Sequence, residues 1–134
     1  MNNDSDIIEF LMLLFRAGAV VFRKFGGQGL GFGDVAPLYA LSRAPDKKLK
    51  LKELAERLGM PLPMMPRLLT SLEKVGAVTR GKAGEGELVS ITVKGEDMLE
   101  KSLTLAKLRF ANLIPKEQAE NLKTANEVLG SIRE

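Results

Sequence analysis

The chain has 134 residues, 45% of them hydrophobic and 28% charged, which suffices for one globular domain with one core. It contains no Cys and no His, which excludes disulfides, thiolate nucleophiles and thiolate or imidazole metal sites. No catalytic, cofactor-binding or metal-binding residues are expected, and the chain is not expected to be an enzyme. The net charge of +3 is unevenly spread: Arg43 to Lys82 carries +6 and the remainder −3. A basic centre with acidic flanks suits polyanion binding, although a solvated basic surface gives the same count.

The start, Met1-Asn2-Asn3-Asp4-Ser5-Asp6, is acidic and does not read as a secretory leader. The apolar run from Ile7 to Phe22 is broken by Glu9 and Arg16 and is short for a membrane span. A cytoplasmic protein is expected.

A first helix is predicted over about Asp4 to Phe25. Its charged positions Glu9, Arg16 and Arg23 fall seven apart, on one narrow stripe. The rest of its circumference is apolar, which calls for cover on several sides, and a second copy of the chain would provide it. Gly26 to Gly33 holds five glycines in eight residues without the spacing of a dinucleotide or phosphate loop, and reads as a connection.

Asp34 is expected to cap a second helix carrying Val35, Leu38, Tyr39 and Leu41, with Pro37 in its first turn. Leu49-Lys50-Leu51 alternates and reads as a short strand. A third helix spans about Lys52 to Leu58, stopped by Gly59, and a fourth ends near Val75 and Gly76. Pro66 fits only the first turn of that fourth helix. Two short helices joined by a tight Gly-containing turn form a helix-turn-helix.

Ala77 to Arg80 and Leu88 to Val93 are β-branched and alternate, with turn residues between them, so they read as a hairpin. A long helix from Lys94 to Leu113 shows a 4-3-4-3 apolar seam at Leu99, Leu103, Ala106, Phe110 and Leu113. Pro115 ends it. A last helix, Lys116 to Ile132, carries Leu122, Ala125, Leu129 and Ile132. Such seams serve either as core or as dimer contacts, and the dimer is the favoured reading.

The predicted architecture is therefore mainly α with a small β-hairpin: a winged helix-turn-helix with long terminal dimerisation helices. All 134 residues form one domain, divided into an N-terminal helix and Gly-rich loop at 1–33, the winged helix-turn-helix at 34–93 and C-terminal helices at 94–134.

Leu51 to Gly59 and Arg67 to Val78 resemble the helix-turn-helix of the MarR-type regulators, and Ile91-Thr92-Val93-Lys94-Gly95 resembles that family's strand-to-helix junction. The resemblance implies a cytoplasmic, homodimeric transcriptional regulator whose second motif helix enters the major groove of a pseudo-palindromic DNA site. Its wing would touch phosphates or the minor groove. It implies DNA-binding roles for Met64, Arg67, Thr70, Ser71, Lys74, Arg80 and Lys82. It also implies a small aromatic effector, for which Phe15, Phe22 and Tyr39 are candidates if they are not simply core.

The chain departs from the family pattern at Pro61-Leu62-Pro63-Met64-Met65-Pro66, where polar base-reading residues are usual. Met64 and Met65 suit thymine methyls, the core or a protein surface equally. Glu85 and Glu87 place negative charge on the wing, and Lys50 stands where a Ser or Thr cap is usual. These departures leave a second reading, a winged-helix protein-interaction module without specific DNA reading.

Overall fold

A computed structural model describes residues 4–25, 32–82, 84 and 86–133 of the chain. Residues 26–31 of the Gly-rich connection, Ala83 and Glu85 lie outside the described residues, as do the side chains of Phe32 to Asp34. The chain divides into two compact units, Met1–Leu103 and Thr104–Glu134.

The first unit contains α1 (Asp4–Phe25), α2 (Phe32–Ser42), β1 (Lys48–Lys50), α3 (Leu51–Leu58), α4 (Met65–Lys74), β2 (Val78–Lys82), β3 (Glu87–Ile91) and the larger part of α5 (Val93–Arg109). This is the expected winged-helix order. The second unit contains the end of α5, a 3-10 segment over Lys116–Asn121 and α6 (Leu122–Gly130). Among the described residues no helix is long and apolar enough to cross a membrane.

The three strands form one antiparallel sheet in the order β1-β3-β2. In register, Leu49 faces Val89 and Val78 faces Ile91. Strand periodicity puts these four on one face, and all are buried. They close the core with Leu38 and Leu41 of α2, Leu54 of α3, and Met65, Leu69 and Leu72 of α4.

Both motif helices end the same way. At α3, the Met60 amide donates to the Ala55 carbonyl at 3.0 Å and the Gly59 amide to Glu56 at 3.1 Å. At α4, the Ala77 amide donates to Leu72 at 2.9 Å and the Gly76 amide to Glu73 at 3.0 Å. These paired bonds need a left-handed residue, supplied by Gly59 at φ 64° and Gly76 at φ 78°.

The junction from wing to α5 explains why Thr and Gly stand three apart. The Gly95 amide donates to the Thr92 hydroxyl at 2.9 Å, which caps α5. That hydroxyl in turn donates to the Gly76 carbonyl at 2.6 Å, tying the cap to the end of α4. A Cβ at Gly95 would lie 2.1 Å from the Ala77 carbonyl oxygen, so no larger residue fits.

Four local expectations are corrected. The first strand begins one residue early, at Lys48, because Leu51 starts α3; there the Lys50 amide donates to the Glu53 carboxylate at 3.1 Å. That bond is the half of a capping box that a lysine can make. Second, α2 starts at Phe32, so Asp34 stands inside its first turn instead of capping it, and Pro37 lies further inside the helix, fully buried.

Third, α5 stops at Arg109, short of Leu113, and the approach to Pro115 is made in turns, with the Leu113 amide donating to Phe110. Fourth, Lys116–Asn121 is 3-10 helix and only Leu122–Gly130 is α. In a 3-10 helix positions three apart eclipse, and Asn121 Nδ2 donates to Gln118 Oε1 at 2.8 Å.

The apolar seams separate into two kinds. Leu99 is buried in the core of the first unit and Leu103 packs against that core. These two therefore serve the chain itself. In contrast, α1 leaves Ile7, Ile8, Leu11, Met12, Leu13, Phe15 and Phe22 exposed, Phe15 at 80%. Within the second unit, Leu122, Val128, Leu129 and Ile132 are exposed as well.

Candidate nucleic-acid interface

The geometry of α4 follows from its apolar spacing. Met65, Leu69 and Leu72 are four and three apart, so they share one face, and all three are buried. The helical period places Arg67, Thr70, Ser71 and Lys74 on the opposite face, and all four are exposed. Four of the predicted DNA-binding residues thus form one stripe along the second helix of the motif.

Their chemistry is not equivalent. Thr70 Oγ1 donates to the Pro66 carbonyl at 2.7 Å, so its proton is committed to its own helix. Arg67 has no salt-bridge partner among the described residues. Lys74 sits in the last turn, where a cation also complements the helix dipole.

The two adjacent methionines divide. Met65 is fully buried in the core, whereas Met64 is 56% exposed. Pro66 lies in the first turn of α4, as its ring requires, and a 3-10 turn over Leu62–Met64 leads into it.

On the wing, Arg80 and Lys82 lie on β2, opposite Val89 and Glu87 of β3. Arg80 forms a salt bridge with Glu87, its diagonal neighbour, by way of its Nε. This hydrogen bond raises the Arg80 pKa and holds the Glu87 carboxyl below the usual carboxylate range, and burial opposes both shifts only in part. Glu87 was read from sequence as a charge that repels phosphate; in the fold its charge is largely spent on Arg80. Arg80 is correspondingly withheld from phosphate. Lys82, nearer the tip, is exposed.

Just ahead of β1, Lys47 pairs with Glu96 of α5 at 2.7 Å. Lys48 and Lys50 are exposed on the sheet face opposite the core. The effector candidates do not converge. Phe15 and Phe22 stand on one open, exposed face of α1, together with Leu14, Ala19, Arg16 and Arg23. Tyr39 is not on that face; it lies on α2 with the Arg43 guanidinium 5.7 Å from its ring centre.

Two features of the interface escaped the sequence reading. Leu62, two residues before Met64 and just ahead of α4, is 46% exposed. The Arg80–Glu87 pair was missed because the hairpin register was not assigned, although opposite charges flanking a short turn were the available signal.

Among known proteins, the IclR helix-turn-helix domain family matches residues 38–81. A MarR-family transcriptional regulator from Rhodococcus sp. RHA1 shares the fold with a TM-score of 0.79 and 18% identity, covering 98% of this chain and 95% of its own. A MarR-family regulator from Streptomyces coelicolor, solved in complex with DNA, matches with a TM-score of 0.72 at 15% identity, over 97% of this chain and 88% of its own. A Mycobacterium tuberculosis MarR-family protein in complex with p-aminosalicylic acid matches at 26% identity and a TM-score of 0.68, over 90% of this chain and 97% of its own. The chain has the winged-helix fold of these regulators. A riboflavin kinase of Archaeoglobus fulgidus is 37% identical over 70 residues, 51% of this chain, and the match spans only 30% of that enzyme's length.

Proposed function

We propose that this chain, built on the MarR-type winged-helix fold, is a DNA-binding transcriptional regulator that acts as a homodimer. The observation that carries the proposal is the stripe Arg67, Thr70, Ser71 and Lys74, exposed on the face of α4 opposite its core contacts. The second helix of such a motif lies in the major groove, and paired copies address two half-sites of a pseudo-palindrome. Within this scheme Arg67 contacts a base or phosphate and Lys74 and Lys82 neutralise phosphates. Arg80 contributes only when Glu87 releases it.

The exposed apolar faces of α1 and α6 support self-association, because large contiguous apolar patches on soluble chains mark interaction surfaces. The open face of α1 that carries Phe15 and Phe22, with Arg16 and Arg23 at hand, supplies aromatic and cationic groups for a small aromatic acid. Such a ligand is bound by the mycobacterial relative. Here the effector is part of the proposal, with Tyr39 outside that face.

The test is an anisotropy titration of the full chain on duplex DNA from its own upstream region. Salt-dependent, sequence-preferring binding supports the proposal. Binding that ignores both salt and sequence overturns it, and would favour the protein-interaction reading.

A further inference from the structure

The leading end of α4 is short of hydrogen-bond donors. Pro61, Pro63 and Pro66 have no amide hydrogen. The Met64 amide donates to the Pro61 carbonyl at 3.0 Å, and the Met65 amide to Leu62. Thr70, one turn on, spends its hydroxyl proton on Pro66. In a groove-reading helix this end meets the base edges. What it presents instead is two large apolar side chains, Leu62 and Met64, with Arg67 following one turn later.

Exposing two such side chains carries a hydrophobic cost that contact with an apolar group would offset. The prolines fix the backbone around them, so little further ordering is needed on contact. The major groove offers one kind of apolar group, the methyl at pyrimidine C5: thymine has it and cytosine does not. Its rim is phosphate, which matches the basic stripe of Arg67 and Lys74 running back from the apolar edge.

We propose, on the premise that α4 docks on DNA, that Leu62 and Met64 form an apolar reader of pyrimidine 5-methyl groups, with Arg67 as the polar anchor beside it. Sequence preference then comes mainly from methyl contacts, and the operator half-site carries thymine where Leu62 and Met64 land.

The tightest duplex is selected from a random pool with the full-length chain, then resynthesised with deoxyuridine replacing thymidine one position at a time, which removes only the methyl. At one or two positions per half-site, affinity should fall about threefold to tenfold for each methyl lost. Leu62→Ala combined with Met64→Ala should abolish that sensitivity while keeping salt-dependent binding. Both side chains are exposed, so the fold tolerates the change, and the wild-type titration on deoxyuridine DNA needs no variant. Equal affinity for thymidine and deoxyuridine duplexes overturns the methyl reader and leaves DNA binding standing. Failure to select any duplex overturns both, and a stoichiometric protein partner captured through Leu62 and Met64 in that event assigns the edge to protein docking.

Discussion

The Arg80 guanidinium and the Glu87 carboxylate pair diagonally across the β2–β3 hairpin, so the principal arginine of the wing is held by the wing's own acid. Both side chains are mostly covered. A pair of this kind contributes at most about 1 kcal/mol to stability, but it competes directly with a phosphate for the same guanidinium.

Glu87→Gln removes the competing charge and should tighten DNA binding by up to about fivefold, corresponding to about 1 kcal/mol. The hairpin should lose no more than that in stability. Anisotropy titration and urea unfolding of the same variant check the two halves of the statement.

The pH dependence of this pair has a definite sign. The Glu87 carboxyl is held below its ordinary range by the hydrogen bond from Arg80. A lowered carboxylate pKa contributes stability above the unfolded value and loses it only as pH falls through the folded value. Arg80, shifted upward, stays charged throughout. The gain from Glu87→Gln should therefore be the same at about pH 6 and pH 8. A gain that shrinks toward pH 6 would mean that Glu87 is already protonated there.

Gly95→Ala should be severely destabilising, by about 3 kcal/mol or more, because the new carbon meets the Ala77 carbonyl oxygen, which belongs to backbone and cannot swing aside. Thr92→Val should cost about 1–2 kcal/mol by removing the cap of α5 and its tie to Gly76. Urea midpoints at constant slope measure both.

Much of this was legible in the sequence because local rules and tertiary packing agree. Gly59 and Gly76 mark helix ends in sequence and adopt the left-handed caps expected of them. The 4-3 spacing of Met65, Leu69 and Leu72 left only one face of α4 for Arg67, Thr70, Ser71 and Lys74. The seam of α5 misled, since a heptad-like pattern looks the same whether a helix packs on its own core, as Leu99 does, or on another chain. Met64 and Met65 were indistinguishable as residue types; the helical phase that Met65 shares with Leu69 and Leu72 turns it inward and leaves Met64 exposed. The Arg80–Glu87 pair depends on hairpin register, which a one-residue slip would have reversed.

Met12→Glu on α1 should convert a dimer to monomer at micromolar concentration. Met12 is exposed in the single chain, so the substitution leaves the monomer fold intact while placing a charge in the apolar patch. Sedimentation velocity with circular dichroism separates loss of pairing from loss of folding.

The central claim, that α4 is a DNA-reading helix, is tested most directly by titrating wild type and Arg67→Ala against the upstream duplex at about 50 and 200 mM salt. Wild type should bind with affinity that falls steeply with salt, and Arg67→Ala should bind more weakly by about 1–3 kcal/mol at either concentration. Equal affinity of the two proteins for the duplex would contradict the account.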